Sequence, residues 1–190
     1  MRYPSDQKAR AKEAILGAGA RALRTNGFNG IGVDGLAASA GVTSGAFYSN
    51  FSNKEALLEE VIETCVGEPF IDSESGSLAE RQDRLGEWLA MYISAEHRAD
   101  PASGCVMPTL SADVARSNPQ IRAAYKRKML QLVRKMSNVL DGAGRERRAW
   151  SIVAMMVGAV AISRAMADGE EADQALDSAL QTAIALVASR

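Results

Sequence analysis

Cysteine and histidine side chains are few in this chain of 190 residues, and they lie far apart. The two cysteines, Cys65 and Cys105, are forty positions apart with no second pair near either, which argues against a zinc site and a disulfide framework. The single histidine, His97, is placed at a polar helix end without a serine or cysteine nucleophile at a suggestive spacing. No phosphate-binding loop is present in the sequence. The sequence therefore predicts that the chain is not an enzyme and binds no metal or cofactor.

The segment from Val33 to Leu57 predicts two short helices joined by a tight turn. Small apolar residues share one face of the first helix, Gly41 supplies the turn, and Thr43 or Ser44 caps the second helix. The second helix carries three aromatic residues: Phe47, Tyr48 and Phe51. A helix-turn-helix presents its second helix in a form that fits the major groove of DNA.

The pattern around the turn continues on both sides. Its members are Ala14-Ile15, Ala18, Ala22, Gly27-Phe28, Val33, Gly41-Val42-Thr43-Ser44-Gly45, Phe47-Tyr48, Phe51, Lys54-Glu55 and Leu57-Leu58. With them, roughly residues 8 to 60 resemble the DNA-binding head of TetR-family transcriptional regulators. The remainder is similar to that family mainly in length and helical layout.

The resemblance implies which residues contact DNA. In this family the helix equivalent to Ser44–Asn50 enters the major groove, so candidates for base edges and nearby phosphates are Thr43, Ser44, Gly45, Ser49 and Asn50. Asn50 is suited to bond to adenine N6 and N7, and Thr43 offers a methyl group to thymine and a hydroxyl to phosphate. Tyr48 and Lys54 resemble the family's backbone anchors.

Four residues qualify that assignment. Gly32 replaces the threonine or serine with which the family often caps the preceding helix, so we expect one phosphate contact to be missing. Phe47 and Phe51 suit the core better than a DNA contact, and Ser49 also fits a merely solvated position. No arginine lies on the predicted reading helix, which excludes the commonest route to guanine from that helix.

Charge is divided unevenly along the chain. The net charge is -1, but residues 1–54 hold seven basic and three acidic residues, so the surplus of positive charge lies where phosphate would be bound. The N-terminus shows no signal peptide, and the longest apolar run, from Trp150 to Ser163, is shorter than the ~20 residues that a membrane span needs. We expect a cytoplasmic protein without a membrane partner.

Helical periodicity extends through nearly the whole chain, and no stretch alternates long enough to predict a strand, so the fold class is all-α. A three-helix, homeodomain-like helix-turn-helix head is expected at residues 1–53, and a helical ligand-binding and dimerisation domain at 54–190. A boundary loop is expected at Glu68–Ser77. The predicted helices are about 5–25, 33–40, 44–50, 53–67, 78–98, 105–116, 118–140, 145–167 and 170–189.

The last two predicted helices carry broad faces of apolar or small residues, which suit a four-helix bundle across a two-fold axis. A single reading helix needs a second half-site for useful affinity, so we expect a homodimer. The alternative is that these faces only close the core of one chain. The predicted interface residues are Val153, Val157, Gly158, Ala161, Leu176, Leu180, Ala183 and Val187.

Soft apolar side chains of the second domain are typical of a site for a hydrophobic small molecule, although methionine at this spacing is also common core filler. The predicted pocket residues are Trp88, Met91, Tyr92, Cys105, Met107, Met129, Met136 and Trp150. Gly104-Cys105 also resembles a pair through which some family members sense reactive electrophiles, the alternative being a buried cysteine. The expected function is a repressor on a palindromic operator, released by an apolar or electrophilic ligand. The alternative is a ligand-binding dimer whose head no longer binds DNA.

Overall fold

The computed structural model describes residues 4–67, 75–166 and 168–189, and these residues form helices without any strand. The helices are α1 (Pro4–Asn26), α2 (Val33–Ser39), α3 (Ser44–Tyr48), α4 (Lys54–Cys65), α5 (Leu78–Tyr92), α6 (Ala95–Ala99), α7 (Met107–Ala115), α8 (Pro119–Ser137), α9 (Arg145–Ala165) and α10 (Glu170–Ala188). The predicted all-α class is confirmed. Most of the predicted boundary loop, residues 68–74, lies outside the described residues.

Two compact units divide the chain. The first comprises Met1–Val66 and Pro101–Lys128, and the second comprises Gly67–Asp100 and Met129–Arg190. The first unit therefore adds α4, α7 and the beginning of α8 to the predicted head. The functional division at residues 53 and 54 stays a prediction.

In the first unit, α1 packs against α2, α3, α4 and α7. Its core is formed by fully buried side chains from several helices, among them Ile15, Leu23, Leu36, Phe47, Leu57 and Leu58. Gly19 of α1 is needed at the contact with α4, because a Cβ atom there would lie 2.8 Å from Cδ2 of Leu57. Gly17 has no such role, since its Cβ would meet only the end of a flexible arginine at 3.8 Å.

Helix ends in the first unit follow the capping signals of the sequence. Gly27 ends α1 at a φ of +69°, in the left-handed region that favours glycine. Asn53 begins α4, its side chain accepting a hydrogen bond from the backbone N–H of Ala56 at 2.8 Å. Both ends agree with the sequence prediction.

The second unit packs α10 against α9 and α5, and α6 against α9 and α5. The single helix predicted at 78–98 is wrong, because α5 ends at Tyr92 and α6 begins at Ala95. Ser94 accounts for the break: its hydroxyl accepts from the backbone N–H of His97 at 3.1 Å and so caps a new helix. His97 then contacts the Tyr92 carbonyl oxygen through Nδ1 at 2.6 Å, and burial lowers the pKa of its imidazole.

A buried arginine closes the end of the second unit. The side chain of Arg148 on α9 donates to the carbonyl oxygens of Leu186, at 3.0 Å, of Ser189 and of Asp141. These oxygens include groups that the C-terminus of α10 leaves without helical partners, so the guanidinium both satisfies them and offsets the negative end of the helix dipole. By length and composition alone α9 is able to span a membrane, but 44% of its apolar window is buried within the chain.

Candidate nucleic-acid interface

A glycine turn sets the angle between α2 and α3. Gly41 adopts a φ of +67°, and its N–H donates to the Ala38 carbonyl oxygen at 3.0 Å. The N–H of Val42 donates to the Ala37 carbonyl oxygen, also at 3.0 Å. A Cβ atom on Gly41 would meet nothing within 4 Å. The turn therefore requires glycine for its backbone conformation and not for space.

Aromatic side chains hold α3 on the head. Phe47 and Phe51 are buried, and their ring centroids lie 5.7 Å apart. Tyr48 stacks edge-on against Phe47 at 5.6 Å, yet 56% of its surface remains exposed. One face of α3 is thus fixed in the core, and its opposite face is available to a binding partner.

The outward face of α3 carries Thr43, Gly45, Tyr48 and Ser49, all exposed. Thr43 caps the helix by accepting from the backbone N–H of Ala46 at 3.2 Å, which leaves its own hydroxyl proton available to a phosphate oxygen. Gly45 has open space around it, with only Thr43 Oγ1 within 4 Å of a built Cβ. Four of the predicted DNA-contacting residues are therefore together on one exposed surface.

Three of the predicted reading residues, including the exposed Ser49, form hydrogen bonds within the head. The Ser44 hydroxyl donates to Oδ1 of Asp34 at 2.5 Å, and the Ser49 hydroxyl donates to the Gly45 carbonyl oxygen at 2.9 Å. Asn50 donates from Nδ2 to the Ala46 carbonyl oxygen at 2.8 Å, while its Oδ1 is buried without a hydrogen-bond partner. A bidentate bond from Asn50 to adenine therefore requires its side chain to turn outward.

Lys54 is tied to the connection between α1 and α2. Its Nζ donates to the carbonyl oxygens of Phe28 at 2.6 Å and Ile31 at 3.1 Å, and lies 4.2 Å from the centroid of the Phe28 ring. An ammonium has three donors, so one remains after these two bonds. The contact is a structural brace of the head that the sequence did not predict.

Two acidic residues that sequence reasoning missed contact this region. Asp34, in the first turn of α2, bonds Ser44, and Asp113 of α7 accepts the backbone N–H of Phe28 at 2.9 Å. Neither contact has a local sequence signal, because each joins residues ten or more positions apart. Gly32, the N-cap of α2, makes no side-chain capping bond.

Cationic side chains lie on α1 in the same unit. Lys8, Arg10 and Arg21 are exposed, whereas Lys12 pairs with Glu60 at 2.7 Å and lies 5.7 Å from the Phe51 ring centroid. Exposed cations attract the phosphate backbone at long range without reading sequence.

The predicted pocket residues are distributed over both units. In the second unit the rings of Trp88 and Tyr92 lie 5.3 Å apart, whereas Met91 is 61% exposed and Trp150 40% exposed. Met136 is fully buried and Met129 half-buried. The described open groove on the first half of α10 is lined by none of the predicted pocket residues.

In the first unit, Met107 is buried and Cys105 is half-buried with its thiol free of any disulfide. The backbone N–H of Met107, the first residue of α7, donates to Cys105 Sγ at 3.4 Å. Tyr125 bonds the Ser111 hydroxyl at 2.6 Å, and burial, together with the nearby Cys105, raises the pKa of its phenol. Cys105 thus lies close to polar groups and not in a purely apolar core.

The predicted interface residues divide into two groups. Val153, Leu176, Ala183 and Val187 are already buried within the single chain. Val157, Gly158, Ala161 and Leu180 remain partly open. The first four close the core of the chain, and only the second group is available to a partner.

Comparisons with known proteins agree with this geometry. Residues 15–61 match the sequence model of the family described as bacterial regulatory proteins, tetR family. No curated protein matches the chain. Among solved structures, the reduced form of E. coli NemR superposes with a TM-score of 0.76 at 21% identity, over 95% of this chain and 98% of that one.

Two further structures cover nearly all of the chain. A TetR transcriptional regulator from Chloroflexus aurantiacus gives a TM-score of 0.76 at 16% identity, over 97% of this chain and 98% of the other. The regulatory protein TetR from Rhodobacter sphaeroides gives 0.72 at 19% identity, over 93% and 98%. At such identities these likenesses establish the fold, while the family model establishes the kind of head.

Proposed function

We propose that the chain is a homodimeric transcriptional repressor of the TetR family, whose sequence model matches residues 15–61. It binds a palindromic DNA operator and leaves it when a small apolar or electrophilic ligand binds. The observation that carries the proposal is the exposed face of α3, with Thr43, Gly45, Tyr48 and Ser49 held outward by the buried rings of the same helix. Family members are transcription factors and not generally enzymes.

The proposed dimer interface is an apolar stripe along α9. Every member of the stripe is wholly or partly exposed, and their spacing of three and four places them on one side of the helix. They are Trp150, Ala154, Val157, Gly158, Ala161, Ile162 and Ala165. No member is charged, and a Cβ at Gly158 would meet nothing within 4 Å, so another helix has room to approach.

The occupant of that stripe is a second copy of the chain. One α3 reads one half-site, and a two-fold partner supplies the second reading helix at the spacing of a DNA turn. Covering a stripe of exposed apolar residues also removes the cost of leaving them in water.

The proposed release signal reaches the head through α7. Cys105 lies just before α7, and two side chains of that helix hold the end of α1 and the connection after it. Thr109 donates to the Arg24 carbonyl oxygen at 2.9 Å, and Asp113 accepts from the Phe28 N–H at 2.9 Å. A ligand or an adduct that moves α7 therefore displaces the end of α1 and the connection after it, both of which belong to the head.

Electrophile sensing through Cys105 has a simple test. Derepression by a thiol-reactive compound is expected in the wild type and not in Cys105→Ser, with Cys65→Ser as the matched control because Cys65 is the only other cysteine in the sequence. Unchanged derepression in Cys105→Ser excludes this residue as the sensor and leaves apolar ligands as the inducers.

A second candidate function is a ligand-binding dimer whose head no longer binds DNA. The internal hydrogen bonds of Ser44, Ser49, Asn50 and Lys54 favour it, because donor protons used within the head are not free for DNA. The exposed Thr43 and Tyr48 favour the repressor.

Binding-site selection from random duplex DNA, at two salt concentrations, separates the two functions. The repressor is expected to enrich a palindrome, and more weakly at the higher salt concentration, since neutralising phosphates releases counterions. If the protein is folded and dimeric but enriches no sequence, the result supports the ligand-binding dimer whose head no longer binds DNA.

A further inference from the structure

One carboxylate lies beside the reading helix. Asp34 is the only acidic residue between Ala14 and Lys54, and it is exposed in the first turn of α2. Ser44, the first residue of α3, donates its hydroxyl proton to Oδ1 of Asp34 at 2.5 Å. We call these two side chains the acceptor pair.

This hydrogen bond decides what the acceptor pair is able to bind. A serine hydroxyl has one proton, and here that proton is committed to the carboxylate. The serine oxygen and the carboxylate then present only lone pairs to a further ligand. Phosphate oxygens and guanine O6 and N7 are acceptors too, so the acceptor pair repels them.

The major groove offers two groups with the opposite character. Cytosine displays its N4 amino group there and adenine displays its N6 amino group, and both are donors. Aspartate and glutamate bond cytosine N4 in known complexes, and serine bonds either kind of edge. The first residues of a reading helix contact base edges, which places the acceptor pair where such an amino group is met.

We propose that Asp34 and Ser44 together select an exocyclic amino group, on cytosine or adenine, at one position of each operator half-site. This inference rests on the proposed function, since it requires that α3 enter the groove. The negative charge weakens binding to all DNA through repulsion by phosphates, and the amino group restores binding only at the correct sequence. Asp34 thereby favours specificity over affinity.

A purely structural role is the competing explanation. A carboxylate in the first turn stabilises a helix N-terminus, and the bond to Ser44 braces α2 against α3. Removal of a brace lowers thermal stability and weakens binding to every DNA sequence alike. Removal of a reading group changes which bases matter.

The test begins with the operator selected by the wild-type protein. At each selected position of one half-site, cytosine is replaced by 2-pyrimidinone or adenine by purine, which removes only the amino group. At one position the wild type is expected to lose about tenfold in affinity, as for one hydrogen bond to a charged acceptor. In Ser44→Ala and Asp34→Ala the same replacement should change affinity less than about twofold.

Two further variants complete the design. Ser39→Ala serves as the matched control, because Ser39 is a hydroxyl of α2 that bonds only the Leu36 carbonyl oxygen at 2.8 Å, and it should keep the full wild-type loss. Asp34→Asn keeps the side-chain shape if Asp34→Ala does not fold. Both Asp34 variants should bind random-sequence DNA more tightly than the wild type, because a negative charge has been removed.

Each outcome has a distinct meaning. A wild-type protein that selects no sequence overturns the proposed function and the inference with it. If the wild type selects a palindrome but the loss of affinity on removing an amino group never depends on Asp34 and Ser44, the inference alone is overturned. Equal losses on operator and random DNA in the Asp34 variants, together with a lower melting temperature, assign the acceptor pair to structure.

Discussion

Replacement of Lys54 by methionine separates the two roles open to this lysine. The structure predicts that Lys54→Met loosens the connection between α1 and α2, because two hydrogen bonds from the ammonium to the Phe28 and Ile31 carbonyl oxygens are lost. Hydrogen bonds that involve a charged group contribute about 1.5–3 kcal/mol each. Because the site is only half-buried, water can bond to the two carbonyl oxygens in the variant and offset part of this loss. A net loss of about 2 kcal/mol is therefore expected locally.

Hydrogen exchange followed by mass spectrometry measures this loss where it occurs. A local loss of about 2 kcal/mol corresponds to about 30-fold faster exchange in peptides covering residues 27–33. Peptides from α9 provide an internal reference. Lys8→Met is the matched control, because Lys8 is an exposed lysine on α1 and its replacement should leave the exchange unchanged.

DNA binding supplies the second half of the test. A lysine that neutralises a phosphate adds about 0.9 to the slope of log affinity against log salt, so two copies in a dimer add nearly 2. The structural role predicts an unchanged slope in Lys54→Met. Unchanged exchange together with a slope reduced by about 2 would contradict the structural role and show that Lys54 contacts a phosphate.

Three further variants test the apolar stripe of α9, the buried arginine and the half-buried histidine. Ile162→Glu places a charge on the apolar stripe of α9 and should yield monomers in analytical ultracentrifugation; a persisting dimer contradicts this interface. Arg148→Ala removes three hydrogen bonds to backbone carbonyl oxygens and should lower the free energy of unfolding in urea by about 3 kcal/mol, whereas a loss below about 1 kcal/mol would show that the carbonyls are satisfied without it. Burial lowers the pKa of His97, so the unfolded chain binds the proton more readily, and the wild-type free energy of unfolding should decrease as the pH falls below about 6.5. His97→Gln should reduce the difference in that free energy between about pH 7.5 and about pH 5.5. Curves of stability against pH that run parallel in the two proteins would contradict this.

Local signals in the sequence were sufficient for most of the helical layout. Apolar residues at helical spacing predicted helix ranges close to those observed, and Asn53 and Gly27 form the ends of two of these helices. The prediction of one helix from 78 to 98 was wrong because apolar periodicity continues through Ser94, and only the side-chain cap of that serine shows the break. Periodicity reports which face is buried and not whether the backbone is continuous.

The site was predictable as a surface but not as a set of hydrogen bonds. The motif predicted that α3 is held by Phe47 and Phe51, and both are buried. It did not predict that Ser44 would donate to Asp34 or that Lys54 would bond the loop before α2. Those partners are ten and more residues away, so their positions depend on how the helices pack. Helix packing also explains why half of the predicted interface residues are buried within the single chain, which the sequence did not predict.

Titration of the wild-type protein onto its selected duplex, repeated over a range of salt concentrations, tests whether the protein binds DNA as a dimer through its phosphates. Two protomers are expected on each palindrome, with an affinity that falls steeply with salt, because exposed cations of α1 neutralise the phosphate backbone. Binding that is weak, independent of sequence or insensitive to salt in a folded dimer would contradict this expectation.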